Sequence, residues 1–273
     1  MELKEVIGRR RSIRFYLPHR PVGREKIQKM LEAARHASCV GNVNSARAIV
    51  IWREQTSPEL FKAITPPLAY QQMQTAPCFI LWYHETTAYE HSKWLRDLMD
   101  LAETRRIGTD IEQTKKDFQR VVGGAAGHWQ QIAREPLAFM DLGLAVCQAM
   151  LVAYDEGLGV CCMGGLRLQE VARLLKLPQT AVPVCLMSLG YPAESWEAGG
   201  QTGKAPFDSL FCEMEYGRPL KEDPAVTEEL KREKLIQEPA PLPWREGELQ
   251  YLARALGLKN TIISWGLEET GGQ

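Results

Sequence analysis

Gly157-Leu158-Gly159-Val160-Cys161-Cys162-Met163-Gly164-Gly165-Leu166 directly follows an apolar run at 137–154, LAFMDLGLAVCQAMLVAY. The run is about as long as the shortest membrane-spanning helices. Asp141 and Gln148 interrupt it, however, and Asp155 and Glu156 end it. The expectation is a helix buried on most faces, in a globular core or a dimer interface. Taken in isolation, the Gly164-Gly165 pair beyond it reads as a turn.

Outward from this stretch, helical and extended patterns alternate. Ile27, Met30, Leu31 and Ala34 share the spacing of one helical face, predicting a helix over 24–37. A second amphipathic helix is expected over 168–177, stopped by Pro178. Buried strands are expected at 48–52 (AIVIW), 78–83 (CFILWY) and 182–189. The run 211–216 (FCEMEY) alternates, predicting a strand with one face buried. Strands separated by helices imply a mixed α/β or α+β domain with helices packed on a central sheet.

Two regions differ in composition. Residues 86–134 are polar and charged with scattered aromatics, which predicts two helices separated near Gly108 and then a flexible turn at Gly123-Gly124. This is either an ordinary solvent-facing excursion or a lid over a pocket, with Trp94 or Trp129 as a cap. After residue 217 a charged helix is expected over 224–236, then a proline-rich spacer at 238–243 and a short helix over 246–256. The division is therefore a domain at 1–216 containing the 86–134 excursion, and a C-terminal extension at 217–273 that could reach a partner subunit.

Composition narrows the function classes. A net charge of -1 over 273 residues argues against a general nucleic-acid binder. The seven cysteines include no C-x-x-C pair, and the five histidines show no metal-binding spacing, so no metal site is expected. Free thiols and a charged start with no signal peptide predict a cytoplasmic protein without a membrane span. No G-x-S-x-G elbow supports a serine hydrolase.

Against that near-neutral background stands Arg9-Arg10-Arg11-Ser12-Ile13-Arg14. Such a cluster reads either as a solvated basic patch or as a grip for a phosphate monoester, because guanidinium forks match phosphate oxygens in pairs. Later motifs favour the second reading. They are Ala37-Ser38-Cys39-Val40-Gly41-Asn42-Val43-Asn44, then the glycine-rich stretch at 157–166, then Leu189-Gly190-Tyr191-Pro192 followed by Lys204-Ala205-Pro206. In this order they resemble the nitroreductase family of FMN-dependent oxidoreductases. Its patterns are R-R-S-x-R, A-P-S-x-x-N-x-Q-P-W, G-L-G-x-x-x-x-G-G and L-G-Y-P. The resemblance covers about residues 6–215.

The resemblance implies an α+β fold with a mixed, mainly antiparallel sheet flanked by helices, assembled as an intertwined homodimer. It implies FMN as cofactor. Arg10, Arg11, Ser12 and Arg14 would hold the phosphate and the polar ring edge. Asn42, with Cys39 and Asn44 beside it, would come from the neighbouring subunit. Cys162, Met163, Gly164 and Gly165 would line the flavin, the glycines allowing main chain to approach N5. Lys204 stands where the family carries a phosphate-binding arginine. Gln72, with Gln71 beside it, is a candidate edge contact that also reads as a solvated loop residue. The family's Pro-Ser appears as Ser38-Cys39 and its Gln-Pro-Trp as Asn44-Ser45-Ala46, so the pocket rim differs.

The implied activity is ping-pong transfer of electrons from NAD(P)H through flavin N5 to an electron-poor acceptor such as a nitroaromatic or quinone, with no catalytic side chain. Alternatives within the fold are reductive dehalogenation and flavin degradation. A flavin-storage or flavin-sensing protein and a structural protein with a basic N-terminus also stay open.

Overall fold

The computed structural model describes residues 2–65, 70–125, 128–164 and 167–258. Four strands form one antiparallel sheet in the order β1-β2-β4-β3. They are β1 (Ala46–Trp52), β2 (Cys78–Glu85), β3 (Gly159–Met163) and β4 (Ala181–Gly190). Twelve α-helices are described: α1 (Leu3–Arg9), α2 (Arg24–Arg35), α3 (Pro58–Ile64), α4 (Tyr70–Thr75), α5 (His91–Glu103), α6 (Ile111–Ala125), α7 (Trp129–Ile132), α8 (Pro136–Asp155), α9 (Leu168–Leu174), α10 (Phe207–Leu210), α11 (Pro224–Arg232) and α12 (Arg245–Ala255). The chain is thus α+β, with helices on both faces of the sheet.

Strand alternation divides the core. On one face Cys78, Ile80 and Trp82 of β2 meet Ile27 and Met30 of α2 and Leu142, Val146 and Ala149 of α8. On the other face Phe79 and Leu81 meet Ile64 of α3, Met73 of α4, Val171 of α9, and Ile13 and Tyr16 from the N-terminal segment. Because β2 is covered on both sides, its unbroken apolar run reads as a central strand. Pro183 enters β4 at a register shift opposite Trp82 and Tyr83, where the ladder is already irregular.

Helix α8 is the one described helix apolar and long enough to cross a membrane. It packs Leu142, Val146, Ala149 and Ala153 against the sheet and leaves Leu137, Met140 and Leu144 exposed. A third cluster, built from Val43, Tyr89, Ala133 and Ala138 with Trp94 and Trp129, fastens the polar excursion beneath the 40–43 turn. Both tryptophans are therefore packed in a satellite core.

Several expectations are corrected. No strand forms over 211–216. That stretch is exposed, with Met214 at 93% and Tyr216 at 102%, and has only an isolated bridge between Cys212 and Pro219. Its alternation finds no described strand to pair with. Strand β3, not anticipated, occupies the Gly159–Met163 run, which is too short and too thiol-rich to announce itself by periodicity. Gly123 and Gly124 lie within α6 rather than in a turn. The proline-rich run is no free spacer. Ala240 N–H donates to Gln201 O at 2.9 Å, and Leu242 N–H to Gly199 O at 2.8 Å.

Candidate functional site

The arginine cluster lies along the free edge of β3. Ser12 makes a parallel bridge with Val160, and Ile13 N–H donates to Val160 O at 3.1 Å. Gly159 lets the segment settle, since a Cβ there would stand 2.7 Å from the Ile13 Cβ. The backbone of the loop is then satisfied group by group. Arg14 and Phe15 N–H donate to Glu194 Oε1 at 2.5 and 3.1 Å. Tyr16 N–H donates to Thr75 Oγ1 at 3.2 Å. The buried Tyr16 hydroxyl donates to Ile13 O at 2.7 Å and lies 2.9 Å from Ser188 Oγ. Burial pushes that phenol well above its ordinary range. A loop anchored in this way has a fixed backbone from which its side chains extend.

Ser12, Arg14 and Gln72 lie around Cys161 on one face of β3, and Arg10 lies beside Cys162 on the other. Burial pushes the Cys161 thiol up, opposed by the Arg14 charge and by the Gln72 and Ser12 side chains. Gln72 Nε2 reaches Cys161 Sγ at 3.7 Å. Its Oε1 is buried with no hydrogen-bond partner among the described residues. A hydrogen bond to Cys185, followed by burial, pushes the Cys162 thiol up, opposed by the Arg10 charge. Met163 is buried. A Cβ built on Gly164 meets nothing within 4 Å. Gly165 lies outside the described residues. No acid pairs with Arg10 or Arg14 among the described residues, and Arg14 is exposed. The edge therefore carries two uncompensated guanidinium groups, a hydroxyl, an unsatisfied amide oxygen and open main chain. That donor set suits a phosphorylated heterocycle.

Not all of the expected residues join it. The Arg11 guanidinium turns to Gly8 O, Gly200 O and Gln237 Oε1, the last two at 3.2 Å. It ties the N-terminal segment to the 200 and 237 regions. Lys204 is exposed and makes no hydrogen bond or ion pair among the described residues. Cys39, Asn42 and Asn44 sit beside the N-terminal end of β1, at the opposite edge of the sheet. Three inter-strand steps put the two edges about 14 Å apart.

The 39–44 turn is built from left-handed residues, Gly41 (φ 52), Asn42 (φ 61) and Asn44 (φ 47), which Gly and Asn accept most readily. Asn44 Nδ2 donates to Asn42 O at 2.6 Å, and Val40 N–H to the buried Asp141 Oδ2 at 3.0 Å. Beside the turn a cavity of about 310 Å³ opens between α2, β1 and α8, lined by Ala34, Cys39, Asn44, Ala46 and Trp82. Ala46 stands there where the motif has tryptophan.

Glu194, Cys161 and Tyr16 were missed. Glu194 follows Pro192 by two residues and looks like any solvated acid in sequence. Only the fold reveals that its side chain is fully buried.

A model of the nitroreductase family matches residues 7–104 and 128–191, which include Arg10, Ser12, Arg14, Gln72 and β3 but not Glu194. The match leaves out the whole of α6 and everything after Tyr191. The Bacillus subtilis (strain 168) protein YodC, whose name is that of an NAD(P)H nitroreductase, is 26% identical over 190 residues, 68% of this chain and 87% of its own. A nitroreductase-like protein of Streptococcus mutans superposes with a TM-score of 0.62 at 20% identity, over 77% of this chain and 96% of its own. A nitroreductase-type protein of Exiguobacterium sibiricum, solved in complex with FMN, superposes with a TM-score of 0.56 at 23% identity, over 77% and 96%.

Proposed function

The chain belongs to the nitroreductase family, and on that premise we propose that it is an FMN-dependent oxidoreductase passing electrons from NAD(P)H to a small electron-poor acceptor. The observation that carries this reading is the placement of Ser12, Arg14 and Gln72 around Cys161 and of Arg10 beside Cys162 along the edge of β3, with no acid paired to either guanidinium group among the described residues and the Gln72 oxygen unsatisfied. When bound, FMN supplies a two-electron carrier able to accept hydride from nicotinamide.

The residues have separate tasks. Arg10 and Ser12 bind the phosphate. Arg14 places positive charge at the polar edge of the ring, where it favours the reduced, anionic form. Gln72 accepts a hydrogen bond with its free oxygen. Gly164 offers main chain without a side chain in the way. Arg11 acts as a strut and makes no cofactor contact.

The same reading includes a homodimer. Cys39, Asn42 and Asn44 lie across the sheet from Arg14, so a single chain does not bring both sets to one ring, whereas a second copy can. The exposed α8 stripe of Leu137, Met140 and Leu144 is the surface for that copy. The exposed segment carrying Phe207, Leu210, Phe211, Met214 and Tyr216 is the arm that embraces it, and Lys204 acts from the base of that arm.

The test is spectroscopic. Purified protein is expected to carry or take up one FMN per chain, to bleach on anaerobic mixing with NADH or NADPH, and to recover its colour with a quinone or nitroarene. Protein that stays colourless after incubation in excess FMN overturns the proposal.

A further inference from the structure

Glu194 is buried and accepts hydrogen bonds at both of its carboxylate oxygens. Its side chain is 0% exposed, and Arg245 of α12 pairs with it at 2.7 Å while itself only 15% exposed. One carboxylate oxygen takes the Arg245 fork, and the other accepts the N–H groups of Arg14 and Phe15. Arg245 is fixed in turn. Its second fork nitrogen binds Glu248 Oε2 at 2.5 Å, and Glu248 Oε1 accepts Ser195 N–H at 2.6 Å. The Arg245 stem lies across Gly199, where a Cβ would stand 2.9 Å from its Cδ. Both Glu194 and Arg245 fall beyond the last residue of the family match.

From this we infer that the C-terminal segment is part of the cofactor-binding frame, with Glu194 and Arg245 as positioning residues that set the Arg14 backbone. The inference rests on the reading of the β3 edge as the FMN site. The physical reason is the cost of a buried, unpaired carboxylate. Without Arg245, the buried Glu194 carboxylate has no counter-charge and is drawn out toward water, which weakens or removes the acceptor that two adjacent amides share. Arg14 then loses its fixed backbone, and a shift of about 1 Å is enough to misplace a binding group. Arg11 adds a second tie to the same region through Gly200 O and Gln237 Oε1.

The test uses full-length protein and the variants Arg245→Met, Arg245→Lys, Glu194→Gln and Glu194→Gln/Arg245→Met, with Glu233→Gln at the exposed Lys4 pair as a control. Two quantities are read. One is amide hydrogen exchange at Arg14 and Phe15 in protein without cofactor. The other is the Kd for FMN from fluorescence quenching. Arg245→Met is expected to speed exchange at both amides and to raise the Kd by about tenfold or more, the scale of a lost charge-assisted hydrogen bond. Arg245→Lys, which keeps the charge, is expected to recover part of both effects. The double variant should be no worse than Glu194→Gln alone, because Arg245 acts through Glu194. Glu233→Gln should change neither quantity.

Unchanged exchange at Arg14 and Phe15 in Arg245→Met, with a Kd within about twofold of the parent, overturns the inference. Fully additive losses in the double variant also overturn it. If the parent binds no FMN, the flavin reading fails and the exchange measurement still decides the coupling. If Arg245→Met does not fold, Arg245→Lys and Glu194→Gln carry the same comparison.

Discussion

Gly159 lies directly beneath Ile13, so close that a Cβ would stand 2.7 Å from the isoleucine Cβ. That contact seats the Arg10–Arg14 segment on β3, and it contrasts with Gly164, where a Cβ meets nothing within 4 Å. The two glycines should therefore respond differently to alanine. Gly159→Ala is expected to cost about 1–3 kcal/mol of stability by overpacking, and to weaken FMN binding as the segment lifts. Gly164→Ala should leave the cofactor-free protein as stable as the parent in urea, but weaken FMN binding because the methyl group intrudes on the cofactor's approach. Equal effects of the two substitutions on unfolding would contradict this division.

Gln72 presents a trade of stability for binding. Its Oε1 is buried with no partner among the described residues, which costs about 1–3 kcal/mol in protein without ligand. Gln72→Met removes the unsatisfied oxygen at nearly constant volume. The cofactor-free variant is expected to unfold at equal or higher urea concentration than the parent, while its affinity for FMN falls. Lower stability together with unchanged affinity would place Gln72 in the core rather than in the site.

How much of this was legible before the fold was known depends on the interaction. Strands β1, β2 and β4 announced themselves because each is a run of apolar or β-branched residues buried on both faces or one. Helix α8 did so because its apolar length is unbroken except at Asp141 and Gln148. The site motifs were visible because Arg, Ser, Asn and Gly at fixed offsets carry chemistry that neighbouring residues do not. Glu194 and Arg245 were not visible. They are charged residues fifty-one positions apart, and nothing local marks them as buried partners. The 211–216 segment misled for the opposite reason, since alternation describes a strand only where another strand is available to pair with it. Gly123 and Gly124 misled because packing of α6 against α5 outweighs the modest helix penalty of glycine.

The burial of His84 gives the chain a pH dependence whose sign follows from desolvation of its ring. Its ring is fully buried between Tyr89 and Phe139, and Nε2 lies 2.7 Å from Ala133 O. Accepting no proton at Nδ1, the ring donates to that carbonyl while neutral. Burial pulls its pKa below the ordinary value of 6.5, and the Ala133 hydrogen bond, Glu85 and Asp141 only partly oppose this. The unfolded chain then binds more protons than the folded one as pH falls below 6.5. Stability is fully present above that value and declines below it until the folded pKa is passed. Asp141, whose pKa burial raises, acts in the acid range with the opposite sign. The urea midpoint is expected to fall between about pH 7.5 and about pH 5.5 in the parent. In His84→Gln, where an amide can still donate to Ala133 O, that fall should be much reduced even though the starting stability is lower.

The α8 stripe tests the proposed assembly. Leu144 is 39% exposed, between the more exposed Met140 one turn before and Cys147 one turn after, on a face that no described element of the chain covers. Burying such a side chain against a second copy contributes about 1.5–3 kcal/mol, and a charge placed there must be desolvated on association. Leu144→Arg is therefore expected to leave the fold of each chain intact by circular dichroism but to shift the protein from dimer to monomer in light scattering. FMN binding should be lost along with the dimer, because Asn42 at the β1 edge and Arg14 at the β3 edge then belong to a chain with no partner. A variant that becomes monomeric yet binds FMN as tightly as the parent would show that one chain suffices. The Asn42 turn would then have to serve something other than the cofactor.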